Sequence, residues 1–356
     1  MGNNLIAELI KAIWTYMAEV KEIKIMEVCG THTQSIAKYG ISSVLPPGIK
    51  LLSGPGCPIC VAPASFIDDA VRLMMMDNVI VATFGDMVRV KGTETSLDNS
   101  RTKDKKPAVV YSPLEALEIA ENNRDRTVVF LAVGFETTAP AIAAMIRHAE
   151  EKSIHNINVL TSIRLMPPIL EIVLEKHDGE LGGMICPGHV ATVMGEEYFR
   201  FLPDKHDICS VISGFDAADI LGAIYLIVQS KCGDKKPELK NIYKRCVSFN
   251  GNEKAKSLMG EVFTASKGLW RGIGLVGDSA LVLKERYMKY DAVYNFNLSP
   301  RDHEAAMECS CGDILMGKRS PGECRLFDSA CSPANPYGPC MVSTEGSCSV
   351  YYRYRR

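Results

Sequence analysis

Two cysteines three positions apart, in Cys57-Pro58-Ile59-Cys60, stand just ahead of a segment that reads as helix from Pro63. That spacing suits reversible disulfide formation: a short loop favours ring closure, and a helix N-terminus with its backbone amides stabilises a thiolate. Half of a zinc knuckle is a second reading, although no further pair follows at the usual distance. Plain structural cysteines are the third. Upstream, Cys29 and His32 share a tight turn, where a thiolate and an imidazole could hold one transition-metal ion or act as nucleophile and base. A buried thiol beside a hydrogen-bonded histidine is the bland alternative. Asp86, Glu136 and His189 each follow a short apolar run and lie within two residues of a glycine. A lone acidic residue in such a place is ordinarily a helix cap or solvated. The densest group closes the chain. Cys324-x6-Cys331-x8-Cys340-x7-Cys348 offers four thiols among Gly322, Pro333, Pro336, Gly338, Pro339 and Gly346. Four thiolates match a tetrahedral zinc or a four-iron cluster, and gaps longer than a knuckle favour iron–sulfur. Cys309 or Cys311 could stand in for one of the four.

Those residues need a frame. Residues 3–20 read as an amphipathic helix capped by Asn3 or Asn4, with Leu5, Leu9, Ile13 and Met17 in one row and Ile6, Ile10 and Trp14 beside it. From there the pattern changes to short apolar runs separated by helical stretches. Candidate strands are Ile23–Val28, Ile49–Leu52, Val79–Phe84, Ala108–Tyr111, Thr127–Val133, Ile157–Ile163, Leu181–Ile185 and Ile208–Ile212. Candidate helices include Pro63–Met76, Pro113–Asn122, Pro140–Lys152, Pro167–Lys176 and Ala217–Ser230. Continuous Val/Ile runs flanked by helices predict an α/β architecture with parallel sheets covered on both faces. Five candidate strands end in a Cys, His, Asp or Glu beside a glycine, and open α/β sheets bind ligands at that end. The polar stretch Gly92–Pro107 reads as a surface loop, with boundaries near Asn122–Arg126 and Lys231–Pro237. The expected division is an N-terminal helix (1–24) packing on the C-terminal domain, α/β units over 25–122 and 123–236, and a cysteine-bearing domain over 237–356.

Composition excludes several classes. Forty basic residues against 42 acidic ones leave a net charge of −2, which argues against a large nucleic-acid footprint. The longest apolar run, Ile220–Val228, is too short to span a bilayer. With no signal segment at the start, a cytoplasmic location is expected. Thirteen cysteines, an odd number, fit metal or thiol redox chemistry better than a secreted disulfide framework.

The longer motifs carry a resemblance. CGTHT at Cys29–Thr33, GPGCPIC at Gly54–Cys60, TFGDMVRV at Thr83–Val90, GFETTAP at Gly134–Pro140, PGHV at Pro187–Val190 and the tail PGEC…PYGPCMVSTEGSC are similar to the HypD family. That family matures the metal centre of [NiFe]-hydrogenases. The resemblance implies two Rossmann-like α/β domains and a smaller domain with a [4Fe–4S] cluster. It implies a scaffold that, with HypC, assembles an iron carrying two cyanides and one carbon monoxide. The cyanide would come from HypE, and the product would pass to the hydrogenase large subunit. Carried over, Cys29 is the thiol for the Fe(II) under assembly, with His32 close enough to hydrogen-bond a cyanide nitrogen or a bound thiolate. Cys57 and Cys60 are the thiol–disulfide pair, Asp86, Glu136 and His189 line the cleft, and Cys324, Cys331, Cys340 and Cys348 hold the cluster. Lys91 stands where the family usually has a proline, and Gly277-Asp278-Ser279 replaces a proline-containing stretch. The competing classes are a stand-alone iron–sulfur thiol–disulfide oxidoreductase and a zinc-stabilised binding module.

Overall fold

A computed structural model describes residues 2–233, 236–299 and 308–354. Its strands are β1 (Ile23–Glu27), β2 (Ile49–Ser53), β3 (Val79–Thr83), β4 (Ala108–Val109), β5 (Thr127–Gly134), β6 (Ile157–Arg164), β7 (Leu181–Cys186), β8 (Ser210–Ile212), β9 (Leu239–Asn241), β10 (Phe263–Trp270) and β11 (Gly274–Leu283). They form two sheets, ordered β2-β1-β7-β8-β9 and β10-β11-β6-β5-β3-β4. The first is parallel throughout, and the second is parallel across β6-β5-β3-β4. The expected α/β class holds, and each of the eight expected strands has a counterpart.

Each sheet draws strands from both sides of the boundary expected near Asn122–Arg126. β1 pairs with β7 over Lys24–Glu27 and Leu181–Ile185, so the first sheet joins residues near 25 to residues near 240. The chain crosses to the second sheet after β2 and returns after β6. The physical reason is burial: Ile25 and Met26 are fully buried, which a central strand satisfies and an edge strand would not. After β9 the chain crosses again, and the β10–β11 hairpin adds antiparallel to β6. Residues assigned to the C-terminal unit thus extend the second sheet. Part of the expected boundary at Lys231–Pro237, residues 234–235, lies outside the described residues.

The N-terminal helix, Gly2–Met17, packs on the helix Ala217–Cys232 rather than on the C-terminal segment. Ile13 and Met17 share a core cluster with Ile220, Leu221, Ile224 and Ile227. The Ala217–Cys232 helix is apolar around most of its circumference, so it needs a sheet on one side and a second cover on the other. The helix already begins at Gly2. Asn4 therefore sits inside it and bonds Glu8 at 3.1 Å, while the Asn3 side chain lies outside the described residues. Among the described residues no helix is long and apolar enough to cross a membrane.

The last segment is made of short helices, Cys311–Leu315, Pro339–Val342 and Ser347–Tyr354, joined by turns. It does not stand off from the sheets. Ser347–Tyr354 packs on the helix Gly30–Lys38, and Pro339–Val342 packs on the helix Pro58–Val61.

Candidate functional site

The cleft is built where β1, β2 and β7 end side by side. Cys29 follows β1 in extended backbone and caps the helix Gly30–Lys38. The β2 loop comes against it closely. A Cβ on Gly56 would lie 2.3 Å from Val28 C and 2.4 Å from the Cys29 nitrogen, so only glycine allows this approach. At the end of that loop Cys57 and Cys60 are joined by a disulfide, with Cα atoms 5.3 Å apart and both residues buried. Cys57 caps Pro58–Val61, and the Cys60 amide N–H faces the Cys57 sulfur at 3.3 Å.

Cys29 is buried and its thiol is pushed up to about 12, first by burial and then by the Glu27 and Glu345 carboxylates. The amides of Thr31 and His32 pull the other way and lose. Desolvation decides the balance, and the resting group is a thiol. Glu27, the last residue of β1 and two positions before Cys29, is itself buried. Its Oε2 accepts from the Cys29 amide at 3.0 Å and its Oε1 accepts from the Thr33 hydroxyl. Burial pushes this carboxyl up to about 8 in spite of those donors.

His32 is fully buried. Its Nε2–H donates to the Gly214 carbonyl at 2.9 Å, and its Nδ1 has no hydrogen-bond partner. Burial lowers the ring to about 4, so it is neutral near pH 7. A bond to a cyanide nitrogen or a thiolate needs a donor, and His32's N–H is already given to the backbone. Phe215 lies against both His32 (4.7 Å between ring centroids) and His189 (4.1 Å, stacked). His189 is exposed, and partial burial of its ring lowers its affinity for a proton against the pull of Glu345.

Glu345 is the residue that sequence reasoning missed. Its Oε1 accepts from the Thr31 hydroxyl at 2.6 Å, and a Cβ on Gly30 would lie 2.6 Å from the Glu345 Cβ. Its charge reaches Glu27, Cys29, Asp86 and His189. Four residues from three loops thus share one carboxylate carried in by the C-terminal segment. Asp86 begins the short helix Gly85–Arg89, open to solvent on one side; burial of the other side raises its carboxyl, followed by Glu345.

Glu136 sits elsewhere. It is fully buried, and its Oε1 accepts from the Met166 amide and the Tyr198 hydroxyl, both at 2.7 Å. Burial pushes it up to about 7. These bonds tie the end of β5 to the helix Met166–His177 and to Tyr198, a core position rather than a cleft wall.

The tail thiols form one group. Cys311, Cys324, Cys331, Cys340 and Cys348 are buried in the same apolar cluster as Cys57 and Cys60, with half-buried Cys309 against it. Cys311 and Cys340 touch, sulfur to sulfur, at 3.1 Å. Cys309 and Cys340 both hydrogen-bond Cys311, which lowers its thiol and raises theirs. Glycine makes the crowding possible: a Cβ on Gly346 would sit 2.2 Å from the Cys340 carbonyl, and one on Gly338 would sit 2.7 Å from the Cys309 sulfur. Among the described residues no three His, Cys, Asp or Glu side chains stand in a finished metal-binding arrangement. The donor set, soft sulfurs in an apolar pocket closed by backbone, fits an iron–sulfur cluster and equally a tetrahedral zinc.

The family described as Hydrogenase formation hypA family, under the name HypD, matches residues 4–355. The hydrogenase maturation factor HypD2 of Bradyrhizobium diazoefficiens is 38% identical over 356 residues, covering 98% of this chain and 93% of that protein. HypD of Azotobacter vinelandii is 38% identical over 343 residues, 94% of this chain and 90% of the relative. The corresponding factor of Escherichia coli K12 is 35% identical over 343 residues, 96% and 91% of the two chains. With the family match running from residue 4 to 355 and these relatives 35–38% identical over nearly the whole length, the chain belongs to the HypD family of hydrogenase maturation factors.

Proposed function

We propose that this chain is the scaffold on which an iron carrying cyanide and carbon monoxide is assembled, held between Cys29 and a thiolate of a HypC partner. The observation that carries the reading is the convergence at one cleft of a buried, backbone-fixed thiol, a disulfide in the adjoining loop and a shared carboxylate. The iron is cargo. To bind it, the Cys29 thiol gives up its proton, and the Fe(II) charge offsets the burial that otherwise keeps the thiol neutral. Glu27 fixes the Cys29 amide and Thr33, so the sulfur is pre-positioned. His32 stays neutral and holds the Gly214 carbonyl beside the cleft. Glu345 and Asp86 form the acidic rim that a HypC-type partner and a HypE-type cyanide donor would meet.

The Cys57–Cys60 disulfide takes up two electrons and two protons to become a dithiol, and gives both back when it closes. The Cys60 amide favours the thiolate at Cys57 during that exchange. In the tail, Cys324, Cys331, Cys340 and Cys348 would hold a [4Fe–4S] cluster, the buried Cys340 sulfur lying among the others with Cys311 at 3.1 Å. Cys309 and Cys311, both against the same group, are the sulfurs that could stand in for one of the four. When bound, the cluster supplies single electrons.

The competing stand-alone oxidoreductase needs no iron at Cys29. Anaerobic iron analysis with HypC co-expressed separates the two. The scaffold reading expects about one iron per complex to survive replacement of Cys324 and Cys331; loss of all iron in that variant favours the oxidoreductase.

A further inference from the structure

The tip of the β10–β11 hairpin, Trp270-Arg271-Gly272, lies in none of the motifs that mark the cleft or the tail. It nevertheless touches both. The Arg271 amide donates to the Val61 carbonyl at 3.0 Å, its Nε to the Ala62 carbonyl at 2.6 Å and its Nη2 to the Lys91 carbonyl at 2.8 Å. The residue is fully buried. Val61 and Ala62 are the exit of the four-residue helix that carries Cys57 and Cys60. On the other side, Gly272 turns at φ +68° and packs backbone to backbone on Gly312, next to Cys311. Trp270 closes the arrangement, with its ring centroid 6.1 Å from that of Phe135.

A guanidinium taken wholly out of water is expensive, and a surface turn would not need one. A planar fork pre-organised for several acceptors suits the task of holding backbone in place. The helix Pro58–Val61 is too short to hold itself together. Its entrance is fixed by Gly56 against Val28 and Cys29, and its exit by Arg271. Between those fixed points lie the two sulfurs.

We propose that Arg271 is a positioning residue for the Cys57–Cys60 pair: by gripping the carbonyls at the helix exit it keeps the two sulfurs facing each other after the bond between them is broken. This rests on the reading of that pair as redox-active. A dithiol held in place re-forms its disulfide at a high effective concentration, and a loosened one does not. With glutathione as the couple, the disulfide and two GSH give the dithiol and GSSG. Two electrons and two protons pass to the protein sulfurs. Loss of the grip therefore favours the dithiol. A nearby cation also favours it, by stabilising thiolate, so charge and grip must be separated. Arg271→Lys keeps the charge and loses the fork.

The test is a glutathione titration of the full chain, with the 57–60 peptide followed by alkylation and mass measurement. In Arg271→Lys the constant for closing the disulfide is expected to fall about tenfold, a potential about 30 mV less negative. An unchanged constant in a variant with the wild-type circular dichroism overturns the proposal. A second measurement uses the wild type alone. On reduction, amides of residues 57–62 are expected to keep their protection from hydrogen exchange, because the exit is still gripped; free exchange on reduction overturns the proposal. A wild-type pair that never closes at any glutathione ratio removes the redox reading, and this proposal with it.

Discussion

The two thiol regions are built by different means. At the cleft, Cys29 and the Cys57–Cys60 loop hang from the ends of central parallel strands. β1 is paired on both sides, and its backbone bonds hold Cys29 whether or not anything binds there. In the tail, six cysteines hang from turns and helices of four to eight residues, and their nearest neighbours include one another. A sheet can present a reactive group and survive its loss. A cluster of mutually supporting thiols cannot, since each removed sulfur leaves the others without a partner or a shared ligand.

The largest effect should come from the tail. Cys324→Ala or Cys340→Ala is expected to abolish the visible sulfur-to-iron absorption and to remove on the order of 4 kcal/mol of stability, the contribution of a tightly held ligand. If Cys340→Ala keeps that absorption and Cys311→Ala loses it, Cys311 takes the place of Cys340 among the ligands and the set read from spacing is wrong.

At the cleft, Gly56→Ala should cost roughly 1–3 kcal/mol in urea unfolding, as overpacking does, because the new methyl meets the Val28–Cys29 backbone. The parallel sheet should persist by circular dichroism while Cys29 becomes easier to alkylate. Unaltered alkylation would mean that the β2 loop does not position Cys29. Glu345→Ala is a smaller change. It removes the bond from Thr31, worth about 1 kcal/mol, and one of the charges that raise Cys29. The pH profile for alkylating Cys29 should move to lower pH, though only part of the way, since burial remains the larger cause. A profile that stays put would place Glu345 outside the cleft.

The smallest effect is a pH slope. Glu136 binds its proton up to about 7 in the folded chain, against an ordinary value of 4.5. Between those pH values the native state holds a proton that the unfolded state has released, so Glu136 makes stability fall as pH rises. Glu136→Gln should flatten that slope between pH 4.5 and about 7. Glu27, pushed up to about 8, acts in the same direction, and His32, lowered to about 4, acts in the opposite one. The readout is therefore the difference between variant and wild type, and equal slopes would contradict the burial of Glu136.

The strands that carry the site were legible because their apolar runs are continuous, and continuity is what burial on both faces demands. β10 and β11 were not, since FTASKGLW and GLVGDSALVL are interrupted by exposed polar residues. Pairing was also invisible: nothing local in Ile23–Glu27 says that its neighbour lies more than 150 residues away. Chemistry followed the same rule. Cys29, His32, Cys57 and Cys60 stood out by type and spacing. Glu27 was hidden inside an apolar strand, where a charge reads as an outward residue. Glu345 was hidden in a turn, its meaning set by a cleft assembled from distant loops. Glu136 was conspicuous at a strand end, but whether it faced the cleft or the core was not a property of its neighbours in sequence.

The central claim is that Cys29 holds the iron under assembly. Infrared spectra of the anaerobic complex with a HypC-type partner test it directly, because cyanide and carbonyl stretches fall where protein does not absorb. In Cys29→Ser the account predicts loss of those bands with the visible absorption of the tail cluster unchanged. Bands of normal intensity in Cys29→Ser would exclude this thiol as the iron ligand and move the site to the Cys57–Cys60 loop.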